Sequence, residues 1–554
     1  MKIKFLGGVQ SVTGSCHLLT VGNKKILLDC GQFQGGKTME ELNYSDFGFS
    51  PSEIDCLILS HAHIDHSGRI PLLFKLGFQG HIFCTDSTFD LVQIMLRDSA
   101  YIHQKETEWK NRKLERAGKK TIEPLYNIED AEKSFRLFEP ILYEQTKQIC
   151  DGVKIKFNEA GHILGSAITE IWATENGKTS KIVFSGDIGM KNRPILKSPS
   201  AIHEADYLIM ETTYGNRIHP DNSQEIDDLI DVIIKTTHRG GNVVIPAFAV
   251  GRTQEIIYQL NRFYEDNSPE YRQELDKIKV YVDSPMATNA TEVFKRNSQA
   301  FNDETKEYIL KGDHPLDFKN LIFTRSAEES QALNFDPTPK VIISASGMCE
   351  AGRIKHHLKH NLWNPKSTIV FVGYQAEGTL GKRIQQGEKR VEIFGEEIYV
   401  NAEIVSLEGM SGHADQKGLL SWLSDFHEQP NEIFLVHGES QAKLDFAHLV
   451  KEKLGYNCIP INEVSEYELE ENPDLALIQS KSEAPDKASS EEVLAMKEKL
   501  YDLHDDLERL LYNTSLAVDG HRISSEKAEA INNTLLSLEK NILSLGTEVL
   551  IDEK

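Results

Sequence analysis

The sequence predicts an α/β protein with a large sheet content, a doubly wound parallel sheet in its middle and an α-helical hairpin at its C-terminal end. Three observations predict this. Over the first 210 residues, short apolar runs alternate with turn signals and helical stretches. From about 220 to 395, strands alternate with longer helical segments, the rhythm of a parallel sheet covered on both faces. Near the end, apolar residues recur every three and four positions over two separate stretches, the seam spacing of paired helices.

In order, KIKFLGG, CHLLTV, KILLDCG, CLILSHAH and HIFC read as strands, and a long helix is expected over 86–118. VKIKFNEAGH, KIVFSGDIG and YLIMETTYG are further strands, and many of these runs end in Gly, His or Asp. In the middle part NVVIPAF, KVYVD, KVIISAS and STIVFVGY read as strands between helices such as GRTQEIIYQLNRFYE. NEIFLVHGES is a last strand, again ending in His-Gly. The stretch 462–492 is acidic and polar, and its second half reads as a linker. Val493, Met496, Leu500, Leu503, Leu507 and Leu510 then mark one helix, and Ala528, Ile531, Leu535, Leu538, Ile542, Leu545 and Val549 mark a second. The two either pack on each other or dock a partner; a homodimer through these helices is the expectation.

The 554 residues suffice for two to four domains. The net charge is −24, and from residue 461 onward 22 acidic residues face 9 basic ones. Taken alone, this balance argues against a nucleic-acid partner, because phosphates are neutralised by Lys and Arg. It does not exclude a local basic channel. No apolar run approaches the roughly 20 residues needed to span a bilayer, and no secretory signal is visible. The seven cysteines are scattered without C-x-x-C spacing, which argues against a disulfide framework or a Cys-based zinc knuckle. The expectation is a cytoplasmic protein with reduced thiols and no membrane association.

The stretch SHAHIDHSG, 60–68, places His61, His63, Asp65 and His66 in six positions after an apolar run. Such residues are costly to bury without partners, and strand ends are where α/β sheets place ligands. Imidazole and carboxylate are ligands for zinc or manganese. Donors at i and i+2 can face one ion, and donors at i+4 and i+5 a second about 3.5–4 Å away. Further donors recur at strand ends beside Gly: His162 in NEAGHILGS, Asp187 in VFSGDIG and His437 in FLVHGES.

HAHIDHSG, GHILGS, SGDIG and LLDCG resemble the motifs of the metallo-β-lactamase superfamily, and METTYGNR, SGHAD and LVHGE resemble the additional motifs of its β-CASP branch. FLGGVQSVTGSCHLL and GYQAEGTLGKRI look most like the messenger-RNA 3′-end endonucleases and their bacterial and archaeal relatives. The resemblance covers about residues 1–460 and implies a fold, a chemistry and a set of roles. The fold is an αββα sandwich formed by 1–212 and 395–465, with a β-CASP domain inserted over 213–394. A linker over 466–490 and the helical hairpin over 491–554 complete the chain. The chemistry is RNA hydrolysis by a hydroxide held between two Zn²⁺ ions, Mn²⁺ also suiting the donor set. His61, His63 and His162 would hold one ion, Asp65, His66 and His437 the second, with Asp187 bridging. Asp29 would orient the ligands. His413 would act on the scissile phosphate with Glu211 as its carboxylate partner, a pair suited to protonating the leaving oxygen. A His at position 437 accompanies RNA-processing members of the branch.

For substrate grip, SASGMCEAGRIKHHL and GYQAEGTLGKRI begin at strand ends and reach basic residues where helices start. Ser344, Ser346, Arg353, Thr379, Lys382 and, from PAFAVGRTQE, Arg252 are the candidates. His356 and His357 lack ligand-spaced partners and are read as polar helix residues near the substrate cleft. The competing reading is a small-molecule ester or thioester hydrolase on the same metal core; a third, a non-enzymatic RNA-binding relative, sits badly with a full set of ligands.

Overall fold

The computed structural model describes residues 1–469 apart from 221–224, 267–274, 374, 376–377 and 408–410. The expected helical hairpin and most of the expected linker lie outside the described residues. Among the described residues no helix is long and apolar enough to cross a membrane, and all seven cysteines are free.

Two seven-stranded sheets stack face to face. The first runs, edge to edge, through Ser465–Glu468, Lys2–Gly7, Cys16–Val21, Lys24–Leu28, Cys56–Ile58, His81–Cys84 and Phe138–Pro140. The second runs through Ile459–Pro460, Glu432–Val436, Tyr207–Glu211, Lys178–Phe184, Ala167–Glu175, Val153–Glu159 and Thr146–Cys150. Strand periodicity explains the layering. Ile26, Leu28 and Ile58 point between the sheets to meet Ile155, Phe157, Ile171 and Ile209. Leu27 and Leu57 point the other way, onto Leu91, Val92 and Leu96 of the helix Asp86–Arg116. The outer face of the second sheet packs Leu208 and Leu435 against Trp422 and Phe446 of the helices Gln416–Leu423 and Ser440–Leu454. The result is an αββα sandwich.

A third sheet is wholly parallel, in the order Leu321–Phe323, Lys279–Val282, Lys340–Ser344, Val243–Pro246, Thr368–Phe371, Glu403–Ser406. It is apolar on both faces: Val243 and Ile245 join one core, Val244 and Ile369 another. That is the burial expected of a doubly wound sheet.

Two expected boundaries move. Glu403–Ser406 pairs with Thr368–Phe371, so the third sheet extends past 395 to residue 406. Ser465–Glu468 is an edge strand on Lys2–Gly7, so a linker starting at 466 is too early. The acidic look of that strand is an edge effect: Tyr467 turns inward, while Glu466 and Glu468 face Lys2 at 3.8 and 3.3 Å.

Candidate active site

Strand ends build the site. Tyr207–Glu211 runs parallel to both Lys178–Phe184 and Glu432–Val436. Their carboxyl ends therefore deliver Asp187, Glu211 and His437 to one rim of the sandwich. The strand Cys56–Ile58 brings the histidine cluster to the same place. That cluster is clamped by backbone: Ser15 N donates to Asp65 O, Cys30 N to His66 O and Gln32 N to Ile64 O, at 2.8–2.9 Å. The clamp requires glycine at 31, where a Cβ would lie 1.6 Å from Asp65 O.

The donor atoms converge. His63 Nδ1 lies 3.1 Å from both His61 Nε2 and His162 Nε2. Asp187 Oδ2 lies 3.5 Å from His61 Nε2 and 3.6 Å from His162 Nε2. On the other side it lies 3.3 Å from His66 Nε2. His66 Nε2 is 3.2 Å from His437 Nε2, which is 3.7 Å from Asp65 Oδ2. Burial pushes the pKa of His61 and His162 well down and that of His63 to about 4, so these rings are neutral. A neutral Nδ1 can share at most one proton, yet His63 Nδ1 faces two ring nitrogens. Donors 2.0–2.1 Å from a tetrahedral zinc lie about 3.3 Å apart. The observed spacings match that edge length, so the residues fit a cation between His61, His63, His162 and Asp187, and a second among Asp65, His66, His437 and Asp187.

The surrounding groups orient these donors. Asp29, in the left-handed region at φ 59°, accepts from Ser60 N and Ser60 Oγ at 2.8 Å and meets His66 Nδ1 at 2.7 Å. Burial opposes charge on His66, but Asp187 and Asp29 outweigh it and raise its pKa. His413 Nδ1 lies 3.2 Å from Glu211 Oε1 and 3.9 Å from Asp187 Oδ2. Burial again opposes the charged ring, and Glu211 and Asp187 outweigh it, raising the His413 pKa to about 9. Glu211 is itself fixed by Ile188 N at 2.6 Å and Thr213 N at 3.1 Å.

Three families match this chain: a metallo-beta-lactamase superfamily domain over 18–212, a Beta-Casp domain over 253–384 and a Zn-dependent metallo-hydrolase RNA specificity domain over 397–460. Ribonuclease TTHA0252 of Thermus thermophilus is 37% identical over 450 residues, 81% of this chain and 96% of that one. The chain belongs to the β-CASP family of the metallo-β-lactamase superfamily. Other relatives include the transcription termination factor FttA of Methanosarcina mazei, 33% identical over 82% of this chain and 69% of its own length. An RNase J-like protein of Methanocaldococcus jannaschii is 31% identical over 80% of this chain and 94% of its own length.

In this β-CASP protein the expected metal donors and the His413–Glu211 pair come together, whereas two of the six expected substrate contacts are buried and a third has an internal carboxylate partner. Arg252 is buried and bonded to Glu255 at 2.5 Å. Ser344 is buried, its hydroxyl donating to Asp283 O at 2.8 Å. Arg353 binds Asp283 Oδ1 at 2.7 Å. Ser344 and Arg353 are thus tied to Asp283 at the end of a third-sheet strand, and Arg252 to Glu255 of its own helix, where free donors had been expected. Ser346, Thr379 and Lys382 are half-buried; Thr379 caps the helix Leu380–Gln385 by accepting from Lys382 N. His357 is buried and bonded to Asp283 Oδ2 at 2.5 Å and to Asn334 Oδ1 at 2.9 Å. It is a core residue; His356, by contrast, lies against the Phe394 ring.

Arg193 escaped the sequence reading. It joins Gly412 O at 2.9 Å to Glu255 Oε2 at 2.6 Å, tying the loop that carries His413 to the helix Arg252–Asp266. His219 also escaped it, its Nε2 lying 3.2 Å from His413 O. Neither sits in a motif-like string, and only the fold brings them to His413.

Proposed function

We propose that this chain is a metal-dependent ribonuclease that hydrolyses RNA phosphodiester bonds at the rim described above. The observation that carries this reading is Asp187 Oδ2, which stands within 3.3–3.6 Å of ring nitrogens from both donor sets. That position suits a carboxylate shared by two ions. In the proposal His61, His63 and His162 would hold one zinc and Asp65, His66 and His437 a second, with Asp187 within reach of either. Such ions would activate water at neutral pH and supply positive charge for the phosphate. Asp29 fixes the His66 ring so that Nε2 faces the centre. Glu211 holds His413 Nδ1, leaving Nε2 to give a proton to the leaving oxygen. The match to an RNA specificity domain and the ribonuclease relative support RNA as substrate. The same reading gives the sandwich the metal site and the third-sheet region the other wall of an RNA cleft, and assigns the C-terminal segment to homodimer formation.

A substrate panel tests it: zinc-loaded protein is offered single-stranded RNA, the matching DNA, and aryl ester and thioester substrates. The proposal expects RNA to be cut fastest by orders of magnitude. Turnover of the esters with intact RNA would replace it with the small-molecule hydrolase.

A further inference from the structure

The helix Asp86–Arg116 buries only its first half in the core, through Leu91, Val92, Met95, Leu96 and Ala100. Its second half carries an alternation of aromatic and cationic residues. Tyr101, Lys105, Trp109, Arg112 and Arg116 are spaced four, four, three and four apart, which places them on one face. That face is open: Tyr101 is 52% and Trp109 57% exposed. Lys105 Nζ sits 5.7 Å from the Tyr101 ring centre and Lys113 Nζ 3.4 Å from that of Trp109. Over 101–120 there are seven Lys and Arg against three Glu, in a chain of net charge −24. Among the described residues Arg112, Lys113 and Arg116 have no ion-pair partner.

The surface is held in place. Asn111 receives Ile122 N at 2.8 Å and donates to Ile122 O at 2.9 Å, so the return segment is pinned back along the helix. At the other end His103 Nε2 lies 3.3 Å from Gln32 Oε1. Gln32 in turn binds Ile64 O in the histidine cluster. The helix thus passes beside the metal loop at His103, and the open face, on the side of the helix opposite His103, runs about 22 Å along it. An ordinary solvated helix face needs neither half-exposed aromatic rings nor a surplus of unpaired cations. Stackable rings interleaved with phosphate-reaching cations are what sequence-tolerant binding of single strands uses.

We propose that this face binds single-stranded RNA flanking the cleavage site, with bases stacking on Tyr101 and Trp109 and phosphates meeting Lys113, Arg112 and Arg116. The proposal rests on the ribonuclease reading for its substrate, but its test does not need cleavage. The full chain carrying His413→Ala is titrated with fluorescein-labelled oligouridylates of about six and about 24 nucleotides, across a range of salt. The parent chain should bind the long RNA more tightly than the short one. Trp109→Ala should weaken long-RNA binding about 5- to 100-fold and remove a quenching of tryptophan emission on binding. Lys113→Glu with Arg116→Glu should lower the slope of log affinity against log salt by roughly two. Long-RNA affinity and salt slope unchanged in both variants would overturn the proposal. So would preferential binding of an acidic peptide over RNA, which would make the face a protein-docking site. A parent chain that binds long RNA through this face while the unmutated enzyme cuts no RNA would refute the ribonuclease reading and leave the face standing.

Discussion

Glu211→Gln separates proton donation from metal binding. The carboxylate is 1% exposed and accepts three contacts: Ile188 N and His413 Nδ1 on Oε1, Thr213 N on Oε2. Glutamine has one acceptor oxygen. If that oxygen faces Ile188 and His413, the amide NH₂ confronts Thr213 N–H; the flipped amide confronts the other two donors. Either way His413 loses a charged partner, and the pull that raises its pKa weakens. A hydrogen bond to a charged group is worth about 1.5–3 kcal/mol, or about 10- to 150-fold in rate. Its upper end meets the lower end of the general-acid range of about 10²–10⁴. On ordinary RNA, kcat should therefore fall about 100-fold with bound zinc unchanged. On an RNA whose leaving oxygen is replaced by sulfur, which departs without a proton, the defect should shrink to a few-fold. Equal losses on both substrates would refute proton donation by His413 and assign Glu211 to holding the loop instead.

Other perturbations reach different parts of the account. Asp29→Ala removes the acceptor beneath His66 and should lower zinc affinity about 10- to 100-fold, read by competition with a chromophoric chelator. Gly31→Ala drives a Cβ into Asp65 O and should displace the histidine cluster, so that zinc content falls while far-UV circular dichroism is retained. Asp283→Asn strips the carboxylate from Arg353 and His357 and should destabilise the protein by about 3 kcal/mol at neutral pH. Burial works against that carboxylate, but bonds from His357, Ser330 and Thr324 outweigh it and hold its pKa well down. Its stabilisation is therefore complete above the unfolded value of about 3.9 and fades as pH drops toward the folded one. Calorimetry should show the gap in Tm between Asp283→Asn and the parent narrowing below about pH 4.

The convergence of the histidines and aspartates was legible because each sits in a short polar string at the end of an apolar run, so strand assignment sends them to one rim. The β-CASP sheet was legible for the same reason, in its runs of Val and Ile. Edge strands were not. Thr146–Cys150 is half-exposed, with too few apolar residues to register, and Ser465–Glu468 looks like acidic linker until Lys2 is placed beside it. The internal partner of Ser344 and Arg353 was not legible, for a different reason. A Ser or Arg at a Gly-rich strand end looks the same whether it faces solvent or a buried acid. Asp283, which claims Arg353, lies 70 residues away in the sequence and no local pattern announces it; Glu255 follows Arg252 by three residues, a helical spacing that the sequence did offer.

The most direct test of RNA cleavage by two ions at Asp187 is a metal titration. Metal-free protein is titrated with zinc while cleavage of a 5′-labelled single-stranded RNA is followed, beside a His63→Ala, Asp187→Ala variant. Activity should saturate at about two zinc ions per chain and be absent from the variant. Full activity at one zinc per chain, or RNA cleavage by the variant, would contradict the two-ion reading.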